Sequence, residues 1–384
     1  MNSYRSPWMD AELELLQDSA RKFFERECVP HDARWRQQHM PDREIWNKMG
    51  AMGLLCASIP EEYGGGGGGF AHEAVICTEQ ARALVTSLSN NVHSGILAHY
   101  ILAFGSEEQK RKWLPKMASG ELVGAIAMTE PGAGSDLQGI RSSAVRAGDE
   151  YVINGSKIFI TNGYHANLIC LVVKTDPKAR AKGVSLIMIE TEGLAGFRRG
   201  RLLEKIGQTG QDTAELFFDD MRVAAANLLG GEEGRGFAQL MNQLPRERML
   251  IALGAVATME RAVAETVAYT AQRQLFGQQL LDMQNTRFKL AECQTTTTVA
   301  RSFVDSCVLR VLDDALDVPT AAMAKWWTTQ MNCQVIDECL QLHGGYGYMS
   351  EYPIARMYAD ARAGKIYGGA NEVMKEIIAR AMQP

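Results

Sequence analysis

The chain has 384 residues, 46% of them hydrophobic and 22% charged, and contains no apolar run near the roughly 20 residues that a membrane span requires. Its length exceeds what a single hydrophobic core usually serves, which favours two or three sub-domains. With 40 basic against 45 acidic residues and a formal charge of -5, the balance argues against a nucleic-acid partner held by bulk electrostatics, so any anionic ligand must be met by local basic groups.

Over residues 10–120 apolar side chains recur at spacings of three and four: Leu13, Leu16, Ala20, Phe23 and Phe24, then Ile45, Met49, Met52 and Leu55, then Ile96, Tyr100, Ile101 and Phe104. This third is expected to be helical. It is interrupted at 61–69 by six consecutive glycines, which carry the largest backbone entropy cost in a helix and predict an exposed, flexible connection. A phosphate-binding loop is a poor fit, because no Lys-Ser/Thr follows the run and no strand precedes it.

From 122 to 229 the pattern changes to short runs rich in Val, Ile and Phe at 123–128, 151–160, 168–174, 184–190 and 214–218, separated by Gly, Asn and Asp. These predict strands of an antiparallel sheet or small barrel. No GxGxxG opens a helix and no strand–helix alternation appears, which counts against a Rossmann nucleotide domain. Helical periodicity returns after Gly236 through 250–270, 282–312, 320–342 and 367–382, long helices with short joins that suggest a bundle. The fold class is therefore α+β: an N-terminal helical domain at 1–121, a middle antiparallel β-domain at 122–235 and a C-terminal helical bundle at 236–384.

The eight cysteines form no CxxC pair and the seven histidines no HExxH spacing, so no metal site is expected and the thiols read as reduced and mostly buried. No basic-then-apolar leader precedes the first polar helix, and cytoplasmic residence is the default expectation.

Four segments resemble the acyl-CoA dehydrogenase family and occur in that family's order: MTEPGAGSD at 128–136, KIFITNG at 157–163, RQLFG at 273–277 and QLHGGYGYMSEYPIARMYADAR at 341–362. Taken alone, PGAGS is a turn after a strand, HGGYGY a tight corner, and Arg273 a solvated helix end. Together they identify the chain as a member of the family, and weaker similarity such as PEEYGG at 60–65 extends this over nearly the whole length. The resemblance implies a C-terminal four-helix bundle, a homotetramer, FAD between sheet and bundle, an acyl-CoA substrate and electron transferring flavoprotein as acceptor.

Residue by residue, the resemblance places Ile126, Met128 and Thr129 against the flavin ring, Ser135 at the pyrophosphate and substrate, and Phe159, Ile160 and Thr161 on the ring's other side. It assigns Arg273, Phe276 and Gln284 to the part of the site contributed by a neighbouring subunit, joined by Gln341, Leu342, Gly344 and Gly345, and gives Glu372 a cofactor contact. The residue types suit this use. A flat flavin needs apolar walls and a few donors, which Phe159, Thr129 and Thr161 supply, and a pyrophosphate needs close backbone amides and a guanidinium, which Gly132, Gly134, Ser135 and Arg273 supply.

Dehydrogenation requires a carboxylate base for the proton beside the thioester, with hydride passing to flavin N5. Many members carry it in an IYEGT segment, but this chain has IYGGA at 366–370, so the family's glutamate position is Gly368. Long-chain and isovaleryl-CoA dehydrogenases instead place the base on the first long helix of the bundle, just before an arginine. The run QLPRERMLIA at 243–252 resembles the long-chain segment and puts Glu247 there.

Helical spacing points the same way, because Glu247 shares a face with Leu244, Leu250, Ile251 and Gly254 and has no Lys or Arg at i±4. Burial on that stripe raises a carboxyl pKa toward the range of a base at neutral pH, and Gly254 leaves room for a ligand. Otherwise Glu247 pairs with a charge on another helix or marks a kink at Pro245. Of the other acids, Glu130 and Asp136 flank a glycine turn, where carboxylates bind backbone amides.

The resemblance implies that a backbone N–H at the Gly368 position and a flavin ribose hydroxyl stabilise the enolate oxygen, and Gly368 keeps that N–H; Arg248 resembles the arginine that meets the CoA nucleotide end, and Ala370 lacks the hydroxyl that many members use on the cofactor. Helix-borne bases accompany long or branched acyl chains, which makes these the expected substrates. Gly95 and Ala98 either deepen the acyl pocket or, as the stronger reading, serve helix packing. Two other functions fit the fold: a flavoenzyme oxidising a non-CoA or carrier-bound substrate, and a flavin- or CoA-binding scaffold without catalysis, in which Glu247 faces away from the pocket.

Overall fold

The computed structural model describes residues 4–383. The first third is helical: α1 (Ala11–Phe23), α2 (Asp32–Gln38), α3 (Glu44–Ala51), α4 (Phe70–Arg82), α5 (Ala98–Phe104) and α6 (Glu107–Ala118), with a π-helical turn at Asn91–Leu97 leading into α5. Local chemistry sets the ends. Asp10 caps α1 by accepting from Leu13 N at 2.9 Å, and Ser106 and Gln109 form a reciprocal capping box at the start of α6. Nearly every side chain of α4 is buried, since it packs on α1 on one side and on the C-terminal bundle on the other.

The six-glycine run is not a flexible connection. Gly65, Gly66, Gly67 and Gly68 donate backbone N–H bonds to the carbonyls of Pro60, Cys56, Ile59 and Ala57. A Cβ on Gly65 would stand 2.2 Å from the Ile59 carbonyl oxygen and one on Gly66 2.8 Å from that of Ala57. The run is glycine because the chain lies against its own backbone there.

Seven strands form one sheet: β1 (Gly124–Ala127), β2 (Ser143–Ala147), β3 (Glu150–Thr161), β4 (Leu168–Lys174), β5 (Val184–Glu190), β6 (Phe197–Leu202) and β7 (Thr213–Ala224). Their order is β1-β4-β2-β3-β7-β6 with β5 also on β4. The sheet is mixed rather than antiparallel, because β1 and β4 run parallel, Gly124 opposite Leu168 through Ala127 opposite Leu171. Strand β4 is buried along its whole length, which explains its apolar run from Leu168 to Val173. Leu168, Cys170 and Val172 face Tyr100, Trp113 and Leu240 of the helices, whereas Ile169, Leu171 and Val173 face Ile153, Ile187 and Leu216 within the β-domain.

The chain then forms α7 (Gly236–Gln272), a hairpin of β8 (Gln274–Leu275) and β9 (Gln278–Gln279), α8 (Gln284–Leu312), α9 (Val318–His343), α10 (Pro353–Ala361) and α11 (Asn371–Ala381). Helix α7 runs through Pro245 unbroken over 37 residues. The last helix begins at Asn371 rather than at 367, since Gly368 and Gly369 adopt φ of 64° and 94° and break the helical path. Helices α7, α8, α9 and α10 pack around a core that includes Leu253, Val256, Val304, Ile336 and Met357, α4 adds Ala74 and Cys77 to it, and α11 packs on α9. Among the described residues no helix is long and apolar enough to cross a membrane.

Candidate active site

Glu247 lies on α7 where that helix is enclosed by the N-terminal helices, and it is 5% exposed. Its Oε1 accepts one hydrogen bond, from Tyr100 Oη at 2.8 Å. Burial raises its pKa from 4.5 to about 7, opposed by Tyr100's donation and by Arg248 and Arg246. The same burial, reinforced by the neighbouring carboxylate, pushes Tyr100 well above the usual phenol range, so its proton stays in place. Among the described residues no cation forms a salt bridge with Glu247, and α7 continues unbroken through Pro245. A carboxylate so placed is neutral or ionised according to a pH near 7, as a general base requires.

Gly368 stands against the same face one turn further along. A Cβ built on it would fall 2.3 Å from Ile251 Cδ1, and Ile251 is four residues beyond Glu247, hence its axial neighbour on the helix. The two base positions expected from the sequence are therefore brought together around Ile251. Lys325 of α9, fully buried, holds the adjoining turn by donating to Gly369 O at 2.6 Å and Asn371 Oδ1 at 3.1 Å. Ile251, Gly254 and Thr258 continue the stripe and are only half-buried. A Cβ on Gly254 would meet nothing nearer than Cys77 Sγ at 4.0 Å, so the expected room exists. Gly95 is different, because its missing Cβ is occupied by Leu250 Cδ1 at 2.3 Å, which supports helix packing.

Arg248 is neither a surface residue nor at a rim. It is 4% exposed, its Nε has no hydrogen-bond partner, and it lies within electrostatic reach of Glu247 and Lys325.

The sheet supplies a second wall. Lys157, fully buried, donates to Met128 O at 2.9 Å and to Glu130 Oε1 at 2.8 Å, while Ile158 N bonds Thr129 O at 2.9 Å. These contacts fasten the segment after β1 to the end of β3. Glu130 also accepts from the backbone N–H groups of Arg141 and Ser142 at 2.6 and 2.9 Å, and Asp136 from Gln138 N at 3.2 Å, the amide-binding roles expected for both acids. Burial lowers Lys157 to about 8 against the pull of Glu130.

At the end of β3 the register shifts between Lys157 and Ile160, and Phe159 takes a left-handed φ of 60° that turns its ring outward, 63% exposed. Thr161, Ile126, Met128 and Thr129 are half-exposed nearby in the fold. Ile160 is 2% exposed, with its side chain in the β-domain core. Strand alternation explains this: residues 159 and 161 share the face opposite to 160. An outward apolar ring flanked by hydroxyl donors fits one wall for a flavin, and Ser135 with Gly132 and Gly134, all exposed and with no atom within 4 Å of a Cβ on either glycine, leaves an open backbone for a phosphate.

The remaining expected residues gather on the bundle surface. Arg273 follows α7, and its guanidinium lies over the Tyr346 ring at 5.8 Å, joining the RQLFG and HGGYGY segments. Phe276 and Gly277 form the β8–β9 turn with φ of 52° and 80°, and Phe276 is 89% exposed. Gln284, Gln341, Gly344, Gly345 and Glu372 are exposed, and Leu342 is half-buried. These groups are far more exposed than Glu247.

Sequence patterns alone did not reveal Tyr100's contact with Glu247 or the Lys157–Glu130 pair. They also missed a cluster beside Glu247 in which Arg246 Nη2 donates to Ser58 Oγ at 3.1 Å and His99 Nε2 at 2.7 Å, and Ser58 Oγ donates to Glu73 Oε1 at 3.0 Å. Each joins residues distant in sequence, and no local spacing announces them.

Comparison with known proteins gives the geometry its context. The chain matches three family profiles in succession: "Acyl-CoA dehydrogenase, N-terminal domain" at 10–121, "middle domain" at 125–221 and "C-terminal domain" at 234–383. It is 48% identical over 372 residues to the mouse (Mus musculus) long-chain specific acyl-CoA dehydrogenase, mitochondrial, covering 96% of this chain and 86% of that protein. It superposes with a TM-score of 0.97 and 45% identity on an acyl-CoA dehydrogenase from Geobacillus kaustophilus, covering 99% of this chain and 100% of that one. A glutaryl-CoA dehydrogenase from Mycobacterium smegmatis in complex with FADH2 aligns with a TM-score of 0.91 and 25% identity, over 98% of this chain and 95% of that one.

Proposed function

The chain belongs to the acyl-CoA dehydrogenase family, and from that premise we propose that it dehydrogenates long-chain or branched acyl-CoA thioesters with Glu247 as the base. It is an oxidoreductase acting on CH–CH bonds with FAD as its cofactor. FAD, when bound, supplies the acceptor for the hydride that leaves the β-carbon.

The observation that carries the assignment is the buried Glu247 carboxylate, held at one oxygen by Tyr100 and next to the Gly368 turn through Ile251. Its Oε2 is free to take the α-proton. The Gly368 N–H donates to the thioester oxygen as negative charge develops there, in a site that Leu250, Ile251 and Tyr100 keep poor in water. Phe159, Met128, Thr129, Thr161 and the Ile160 main chain form the wall for the flavin, with Ser135 and the partner copy's exposed Arg273 region toward its phosphates. The row Ile251, Gly254 and Thr258 extends about 16 Å from Glu247 at 1.5 Å per residue, which supports an acyl chain well beyond a short one.

Anaerobic mixing of the FAD-loaded protein with acyl-CoAs of increasing length tests this. Long-chain substrates bleach the flavin in the wild type, and Glu247→Gln binds them but loses at least a thousandfold in reduction rate. Undiminished reduction in that variant removes Glu247 as the base, and failure of every acyl-CoA to bleach the wild type favours a non-CoA or carrier-bound substrate. The exposed Phe276–Arg273 surface supports a homotetramer, measurable by light scattering, and electron transferring flavoprotein is the acceptor to add in turnover assays. The proposed compartment is the cytoplasm, tested by fractionating the cells that make the protein.

A further inference from the structure

We infer that Tyr100 is a positioning residue for the reaction, setting both the orientation and the working pH of Glu247. This rests on the reading of Glu247 as the base.

The Tyr100 side chain is fully buried, packed among Ile101, Trp113 and Cys170, and its ring meets Phe104 edge-on at 6.1 Å. A phenol rarely enters such a core without a partner for its hydroxyl. Here the hydroxyl reaches from α5 to α7 and donates to Glu247 Oε1 at 2.8 Å, a contact between residues 147 positions apart. Glu247 has no other hydrogen-bond donor among the described residues, so this bond alone fixes which oxygen is engaged and leaves Oε2 for the substrate. A phenylalanine would fill the same space, so packing does not account for the hydroxyl.

Other charges near the pair are arranged so that they do not replace it. Arg246 is engaged by Ser58 and His99, with Glu73 behind them on α4; burial and Arg246 keep His99 neutral. Arg248 on α7 acts on Glu247 through space, with Lys325 of α9 behind it, and Cys170 of β4 lies on the far side of Tyr100. A donor to the ionised carboxylate favours that form and lowers the pH at which the base becomes active. Removing it moves the acid limb upward, whereas a residue that merely fills the core leaves the limb where it is.

The test is the pH profile of flavin reduction in the FAD-loaded protein for wild type, Tyr100→Phe and site-specific 3-fluorotyrosine at position 100. Phenylalanine is expected to raise the limb by about one pH unit, the equivalent of one hydrogen bond to a charged group. The fluorinated ring keeps the shape but donates more strongly, and is expected to lower it. Infrared titration of the carboxylic acid C=O band that Glu247→Gln abolishes should show the same shifts without turnover. An unmoved limb and band in both variants overturns the inference, and the fluorinated protein decides alone where Tyr100→Phe does not fold. Should Glu247→Gln reduce the flavin normally, the base assignment fails; should it fail to reduce while both Tyr100 variants keep the wild-type limb, only the role of Tyr100 fails.

Discussion

Glu247→Gln tests the electrostatics of the site through stability, independently of turnover. The change removes a titrating proton while keeping the shape of the side chain and an acceptor for Tyr100. In the folded protein burial places the Glu247 pKa at about 7 against 4.5 for the unfolded group. A folded pKa above the unfolded one means that stability from this group is fully present below pH 4.5 and is lost as pH rises to about 7, because the buried carboxyl must ionise. At about 1.4 kcal/mol per pKa unit, the loss in the wild type reaches about 3 kcal/mol. The glutamine variant does not share it. Pulse proteolysis in urea on the FAD-loaded proteins is expected to show the variant gaining about 2–3 kcal/mol on the wild type between pH 5 and pH 8. Other titrating groups are common to both proteins and cancel in the difference. A difference that stays flat with pH refutes the burial argument and with it the reason for expecting a base that works near neutrality.

Three further outcomes follow from particular contacts. Combining Glu247→Gly with Gly368→Glu should give almost no acyl-CoA-dependent flavin reduction, because a side chain at 368 needs φ of 64° and meets Ile251 Cδ1 at 2.3 Å; adding Ile251→Ala should recover at least tenfold by stopped flow. Lys157→Met leaves Glu130 buried without its cation and is expected to cost about 3–5 kcal/mol in urea denaturation, with the flavin lost early in the transition. Gly65→Ala forces the chain off the Ile59 carbonyl and should lower the melting temperature by several degrees, or about 2 kcal/mol, whereas the same change in a flexible loop costs almost nothing.

What the sequence discloses depends on how much of each element's stability is local. Strand β4 was expected at the same bounds it has, since burial on both faces writes itself into six consecutive apolar residues before Lys174. By contrast β6, FRRGRL, carries three arginines and a glycine and looks like nothing in isolation; pairing with β7 makes it a strand. The six glycines announce an entropy cost but not the carbonyls of Ile59 and Ala57 that leave no space for a Cβ. The apolar stripe around Glu247 was visible because helical period is local, and so was the vacancy at Gly368. The burial of the Ile160 side chain was not legible, because a motif records which residues recur near a ligand and not which way each side chain turns.

The pairing of Glu247 with Gly368 also has a steric logic that neither motif contains. Ile251 fills the space beside Gly368 that a side chain would claim, and the turn at 368–369 depends on positive φ and on Lys325 holding Gly369 O. A carboxylate on that turn would need a positive φ and the space of Ile251, whereas on α7 it is carried by a 37-residue helix and pinned by Tyr100. Preorganisation favours the helix. It also means that positions 247, 251 and 368 are coupled: moving the base requires clearing Ile251 as well as exchanging two residues, and the Tyr100 hydroxyl, left buried without Glu247, would then weigh against the exchange.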